Sequence, residues 1–406
     1  MTNIPSPTLQ RVLQGELCSG CGLCAGVASG AITMGTVAPG YSRPIQSAPL
    51  TDQQEQTIAE SCPGAKIAPW GGAPHQDMFW GPWRQVLTGH ALDPQVRFAG
   101  SSGGAISALL IHALESGLVD DVLHIAPSAE LPTRNRLQWS RTRDEVMRHA
   151  GSRYAASSPL ADIGEALDSD RRTAFVGKPC DVSALRQLAL IDPRVDRRFP
   201  IKLSFFCGGL PSHDGADRIV RALGLEPREL TSFRYRGQGW PGMARAETAD
   251  GRAAEMSYAD SWGGHLSKEV QFRCKICPDA VGGVADIACA DAWYGDEDGY
   301  PSFDEQEGRS LIISRTPAGD ALLAAATTAG ALTSTPLDIR EIDLMQPAQA
   351  RRKRLVVART ASCRILGHPV PQMHNLNVIE AARTAKMSEQ LRNFLGMLRR
   401  IIQKRK

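Results

Sequence analysis

Thr173-Ala-Phe-Val-Gly177-Lys178-Pro179-Cys180-Asp-Val-Ser-Ala-Leu-Arg-Gln-Leu-Ala-Leu190 is the stretch on which the fold turns. Thr173 to Val176 reads as a short buried strand, and Val182 to Leu190 carries apolar residues at helical spacing. A strand that runs straight into a helix, repeated along a chain, builds a parallel sheet covered on both faces. The pattern does repeat. Val122 to Ile125 and Ile201 to Phe206 read as strands, while Ile163 to Leu167 and Ala216 to Leu223 read as helices. Ala105 to Ser116 is a further helix, with Ile106, Leu109, Leu110, Ala113 and Leu114 on one face. Segments near 233–250 and 284–291 look like added strands. The expectation is an α/β core with a mostly parallel sheet and added β segments.

On either side of this core the sequence changes character. Residues 1–80 are rich in Gly, Pro and Cys and show little helical periodicity, as a small metal-centred domain does when ligand bonds replace much of a core. Trp70-Gly-Gly-Ala-Pro74 reads as its exit linker. Beyond residue 345 comes a Pro-containing connector, then a helix over Asn377 to Ile402 with Ile379, Leu391, Phe394, Leu395, Leu398 and Ile402 at helical spacing. The expected organisation is therefore three parts, 1–80, 81–345 and a helical tail 346–406.

With 46 Lys and Arg against 43 Asp and Glu, the 406-residue chain is too balanced for nucleic acid or an anionic membrane to be its main partner. Local basic runs at Arg351 to Arg354 and Arg399 to Lys406 read as solvated faces. Met1 to Glu16 has no basic segment followed by an apolar stretch, and no apolar run reaches the roughly 18 to 20 residues of a membrane span. A cytoplasmic protein is expected. Ten cysteines in such a chain point to metal ligands rather than disulfides.

Cys18-Ser-Gly-Cys21-Gly-Leu-Cys24 is the C-x2-C-x2-C run of bacterial ferredoxins, whose Gly-rich loop turns three thiolates inward. Ala28 stands where a two-cluster ferredoxin has its next Cys-Pro, and Cys62-Pro63 supplies the remote one. The segment reads as a ferredoxin-like domain with one [4Fe–4S] cluster on Cys18, Cys21, Cys24 and Cys62. A zinc knuckle, which pairs two C-x2-C units, fits this spacing poorly.

A second set is spread out. Cys180 and Cys207 each follow a strand, at the sheet edge where α/β proteins bind ligands, and Cys274-Lys-Ile-Cys277 adds a C-x2-C loop. These four thiolates suffice for a second cubane, with zinc or plain buried thiols as competing readings. Cys289 and Cys363 read as unliganded. Ser101-Ser102-Gly103-Gly104 opens a helix where a phosphate can approach free amides, or where the helix is merely capped. Ser152-Arg153-Tyr154, after Gly151, offers a cation and a ring. Asp291, after a strand in Asp286-Ile through Ala292-Trp293, is a third polar position, or a turn cap.

In their order, these pieces resemble the beta-subunit family of coenzyme F420 hydrogenases and dehydrogenases. The matching motifs are Cys18–Cys24, Ser101–Gly104, Gly151–Tyr154, Gly177–Cys180, Phe206-Cys207, Arg236-Gly-Gln-Gly-Trp240-Pro-Gly, Cys274–Pro278 and Asp286–Trp293. The resemblance implies FAD, held by Ser101, Ser102, Gly103, Gly104, Ser152, Arg153, Tyr154 and Lys178. It also implies a second [4Fe–4S] cluster on Cys180, Cys207, Cys274 and Cys277 beside the flavin. Lys178 departs from the small hydroxyl residue usual in the family.

Two functions follow from the resemblance. The first is an enzyme that takes single electrons from ferredoxin or another one-electron carrier and reduces an organic substrate, with a tetrapyrrole as the candidate, as in 7-hydroxymethyl chlorophyll a reductase-like members. The N-terminal cysteine segment, Ser140-Arg-Thr-Arg-Asp144-Glu and the long tail lean this way. The alternative is the electron-transfer beta subunit of an F420-type hydrogenase or dehydrogenase complex. No histidine among His90, His112, His124, His213 and His265 stands out as a proton donor, so no catalytic residue is assigned.

Overall fold

A computed structural model describes residues 5–295 and 301–403. The first four residues of the stretch read for a leader, and Lys404 to Lys406 of the basic run, lie outside them.

The N-terminal segment holds helices α1 (Pro7–Gln14) and α2 (Leu23–Val27), a hairpin of β1 (Ile32–Val37) and β2 (Tyr41–Gln46), and helix α3 (Asp52–Ser61). None of these helices was expected, and α1 and α3 carry local start signals. Ser6 caps α1 through Leu9 N, and Thr51 with Gln54 forms a capping box on α3. The segment docks closely on the rest of the chain. Gly22 has a φ of 85° and a Cβ there would meet Ala161 N at 2.8 Å, so only glycine permits this approach. Leu160 N donates to Cys21 O at 2.9 Å.

The central sheet has eight strands. In chain order they are β3 (Gln85–Ala91), β4 (Asp121–Pro127), β5 (Asn135–Ser140), β6 (Thr173–Gly177), β7 (Ile201–Phe205), β11 (Ile287–Asp291), β12 (Ser310–Ser314) and β13 (Leu332–Pro336), with β8 (Leu230–Arg234), β9 (Ala244–Thr248) and β10 (Ala253–Met256) forming a separate antiparallel sheet. The spatial order is β13-β3-β12-β11-β7-β6-β4-β5. β11, β7, β6 and β4 are parallel neighbours, and the flanks are antiparallel. The segment near 284–291 is therefore a central parallel strand. The alternation of strand side chains sorts the core into two layers. Val122, Ala174 and Ile312 pack on one face with α4 (Ala105–Glu115) and α6 (Pro317–Thr328). Leu123 and Phe175 pack on the other, with α5 (Pro179–Ala189).

The tail forms α7 (Pro347–Arg354), α8 (Val356–Ile365) and α9 (Met387–Ile402). The helix expected from residue 377 is interrupted, with Val378–Arg383 as a separate short helix before α9. No helix among the described residues is long and apolar enough to cross a membrane.

His124 illustrates the cost of this packing. It is buried on β4, with Nε2 2.8 Å from Ser140 Oγ. Burial first, then His149 and Arg136, pushes its pKa down to about 4. The fold thus keeps it neutral, while the unfolded chain takes up a proton near its ordinary value of about 6.5. This contribution to stability is present above pH 6.5 and is lost as pH falls toward 4, at up to about 1.4 kcal/mol per pH unit. His124→Gln is expected to flatten the acid limb of a denaturation-versus-pH series in that window. Parallel curves for wild type and variant would refute it.

Candidate functional site

The sheet brings separate parts of the sequence to one edge. The carboxyl ends of β4, β6, β7 and β11 point the same way, so Lys178, Cys180, Cys207 and Asp291 gather along it. β3 also ends there, and Ala91 N donates to Gly103 O at 2.7 Å, which places the loop 101–104 beside them.

The cysteines fall into two sets of four. In the first, burial raises the Cys24 pKa, and Cys21, Cys18 and Cys62 raise it further. Cys62 is pushed to about 11 by burial, then by Cys18. In the second, Cys207 is pushed to about 12 by burial and then by Cys274, with Cys277 also contributing. Cys180 is raised by burial, and Asp181, Cys207 and Cys274 add to it. Thiols that act on one another's ionisation lie close together. Cys289 and Cys363 stand apart, since no other thiol raises either one. Among the described residues no three His, Cys, Asp or Glu side chains are close enough to clasp one metal ion. A single zinc ion needs its ligands on a tetrahedron about 2.3 Å in radius. A cubane gives each thiolate its own iron, which spaces the sulfurs wider.

Two buried charges join the sets. Arg273 is 4% exposed, and its Nη2 donates to Pro63 O at 3.2 Å, next to Cys62. Its Nε and Nη1 have no partner. The guanidinium favours the thiolate form of both Cys62 and Cys277. Asp181 is equally central, acting on Cys21 and on Cys180. Lys178 Nζ donates to Asp181 Oδ2 at 2.7 Å and lies 3.5 Å from Ser157 Oγ. Asp181 Oδ1 is buried without a partner. A buried cation left with free donors beside a thiol of each set is a natural counter-charge for anionic centres.

The loops are tied together. Ser101 Oγ accepts from Ser152 N at 2.5 Å, Ser102 Oγ donates to Arg309 O at 2.9 Å, and Gly103 N donates to Ser310 Oγ at 2.9 Å. Gly104 starts α4 with a φ of 74°. Arg153 does not present a free fork here. Its guanidinium is occupied by Asn135 Oδ1 and by the carbonyls of Phe233, Pro132 and Arg134, and it stacks on Tyr235. Tyr154 packs its ring against Tyr235 and Trp262. The cation between the loops is Arg234, whose Nη1 lies 3.3 Å from Ala150 O and 3.5 Å from Ala99 O. No carboxylate pairs with it among the described residues. A cavity of about 720 Å³ opens nearby, lined by Ser42 and Val37 of the hairpin and by Asn135, Ser157, Ser158 and His213.

Asp291 is no turn cap. It accepts from Arg236 Nη1 and Nη2 at 2.8 and 2.7 Å and from Trp240 Nε1 at 2.7 Å. The tail also departs from its reading as a solvated face. Arg352 donates to Cys207 O at 2.9 Å and to Gly208 O, and Lys353 Nζ donates to Pro278 O at 2.7 Å. Strand-end and C-x2-C carbonyls need donors, and α7 turns two cations inward to supply them.

These features define an α/β protein whose thiols, cations and aromatic rings converge at the carboxyl edge of its sheet. Residues 86–163 match the family model for the N-terminal part of the coenzyme F420 hydrogenase/dehydrogenase beta subunit, and residues 170–340 match the model for its C-terminal part. The chain belongs to the coenzyme F420 hydrogenase/dehydrogenase beta-subunit family, whose members serve oxidoreductase complexes. The coenzyme F420 hydrogenase subunit beta of Methanococcus voltae is 26% identical over 305 residues, which cover 72% of this chain and 100% of the relative. The F420-dependent formate dehydrogenase 1 subunit beta of Methanococcus maripaludis is 25% identical, over 55% of this chain and 57% of the relative. A chain of the F420-reducing [NiFe] hydrogenase complex from Methanosarcina barkeri shares the fold, with a TM-score of 0.55 at 20% identity, covering 74% of this chain and 99% of that one.

Proposed function

We propose that this chain is a flavin-bearing electron-transfer subunit of an oxidoreductase complex. In this reading FAD lies along the carboxyl edge and a [4Fe–4S] cluster sits on each set of thiols, Cys18, Cys21, Cys24 and Cys62, and Cys180, Cys207, Cys274 and Cys277. The observation that carries it is the pair of four-thiol sets with Arg273, two of whose donors lack a partner, acting on both. When bound, such groups interconvert two-electron hydride chemistry and one-electron transfer. The chain's own residues supply charge and shape. Arg273 and the Lys178–Asp181 pair set the local charge, Ser101 to Gly104 bring helix-start amides to a phosphate, and Arg234 takes the phosphate-facing role in place of Arg153. The relatives named for hydrogenase and formate dehydrogenase favour this electron-transfer reading, with a deazaflavin coenzyme as the organic partner, over a self-contained tetrapyrrole reductase.

Anaerobically purified protein is expected to carry about eight iron and about eight acid-labile sulfide per chain, with FAD. Stoichiometric zinc without iron would overturn the reading. Reduced coenzyme F420 should bleach the flavin rapidly. Turnover only with ferredoxin and a tetrapyrrole would put the reductase in its place. Arg234→Ala should weaken FAD binding by about 1.5 to 3 kcal/mol, the scale of a charge-assisted contact. Arg153→Ala, by contrast, should lower the melting temperature first. Equal flavin affinity in wild type and Arg234→Ala would remove Arg234 from the site.

A further inference from the structure

Cations on four elements face one hollow. A cavity of about 310 Å³, open to solvent, is lined by Lys275, Arg351, Arg359, Arg392 and Arg400, with Asn393. The lining holds no carboxylate. Compensation comes from outside it, from Glu389 paired with Arg351 at 2.7 Å and from Glu16 and Glu269, which act on Lys275. Arg359 donates to Lys275 O at 2.8 Å and to Asn393 Oδ1, which fixes it as the floor. Arg400 Nε is buried without a partner. Burial, then Arg352, Arg351 and Arg400, pushes the Arg359 pKa down to about 10, a mutual repulsion among these cations that an anion would relieve.

We propose that this hollow is the docking port for an acidic one-electron carrier protein. The inference rests on the electron-transfer reading above and names its partner. Position is the first argument, because Lys275 lies between Cys274 and Cys277, so a protein seated here meets a side chain one residue from one thiol of the second set and two from another. Extent is the second. Arg392 and Arg400 are eight residues apart on α9, about 12 Å along its axis, and Arg351 adds a further cation on α7. A small anion spans two or three of these cations, whereas a surface of several carboxylates spans them all. Rim charges of this kind steer encounter and set the on-rate. The reaction served is transfer of one electron, with the carrier oxidised by one unit, the centre at Cys180, Cys207, Cys274 and Cys277 reduced by one, and no bond made or broken.

The test uses the anaerobically purified full chain and a small ferredoxin of strongly negative net charge. Arg392 is exposed and has no hydrogen-bond or ion-pair partner among the described residues, so Arg392→Glu should fold normally. Arg351→Gln/Arg392→Gln is the gentler second variant. Both are expected to bind the ferredoxin at least about tenfold more weakly at low salt, and to be reduced by it correspondingly more slowly, with the wild-type salt dependence blunted. Reduction by photoreduced, uncharged deazariboflavin should match wild type. Variants that bind and accept electrons from ferredoxin like wild type overturn the port. Saturable pyrophosphate binding that does not compete with ferredoxin overturns it too, in favour of a small-anion site. A wild-type chain without iron refutes the electron-transfer reading itself, and the port falls with it.

Discussion

Cys21→Ala should lower the iron content from about eight to about four per chain while FAD stays bound. Alanine fills the space but cannot ligate, and Cys21 sits where Cys62 and Cys18 both act on it. The loops proposed to hold the flavin belong to other elements, at 101–104 and 151–154, so the hydrogen bonds of the first to Ser310 and Arg309 survive the change. Cys274→Ala should remove the other four iron atoms and lower FAD occupancy as well. Its Sγ accepts from Leu210 N at 3.4 Å, just beyond the Cys207 turn, so the site loses a ligand and a local anchor together. Cys289→Ala and Cys363→Ala serve as internal controls and should retain the full complement, since no other thiol acts on either. Iron and sulfide assays with flavin absorbance decide the matter. If Cys289→Ala emptied a cluster as completely as Cys180→Ala, the grouping of ligands would be wrong.

The strands and helices were legible because their signal is local. Thr173 to Leu190 announces a strand and a helix through spacing alone, and both are present. The cysteine runs are local in the same way, since C-x2-C spacing limits how far apart its two sulfurs can lie, while the clusters they would hold belong to the proposed function. What stayed hidden was pairing over distance. Arg153 looked free because its four acceptors, on residues 132, 134, 135 and 233, are adjacent only in the fold. Arg234 sits 83 residues from Gly151 and carries no motif of its own. Arg352 and Lys353 read as surface because nothing in a run of four cations tells which of them turn toward buried carbonyls. Sequence spacing reports what a short segment does. It is silent on which distant groups compensate one another's burial.

Asp291→Ala should destabilise the protein by about 3 to 5 kcal/mol, the usual cost of leaving one member of a buried ion pair alone. Arg236 is 2% exposed, and burial by itself would disfavour its charge, a penalty that Asp291 more than reverses. Its Nε donates to Pro241 O at 2.6 Å, and its guanidinium lies 4.6 Å from the Tyr258 ring and 4.9 Å from that of Trp293. None of these partners can replace two carboxylate hydrogen bonds. Trp240, stacked on Trp293 at 4.8 Å, loses its Nε1 acceptor in the same stroke. The damage should reach the loop 101–104, because Ser101 Oγ rests on Arg236 O at 3.4 Å and Ser102 Oγ on Ala290 O at 3.2 Å. Against a total stability of about 5 to 15 kcal/mol, this loss is large enough to read in urea denaturation. Arg236→Met/Asp291→Leu removes both charges and keeps apolar volume, so it should cost less than Asp291→Ala alone. A double variant as unstable as the single one would mean that shape, and not charge pairing, holds this corner of the sheet edge.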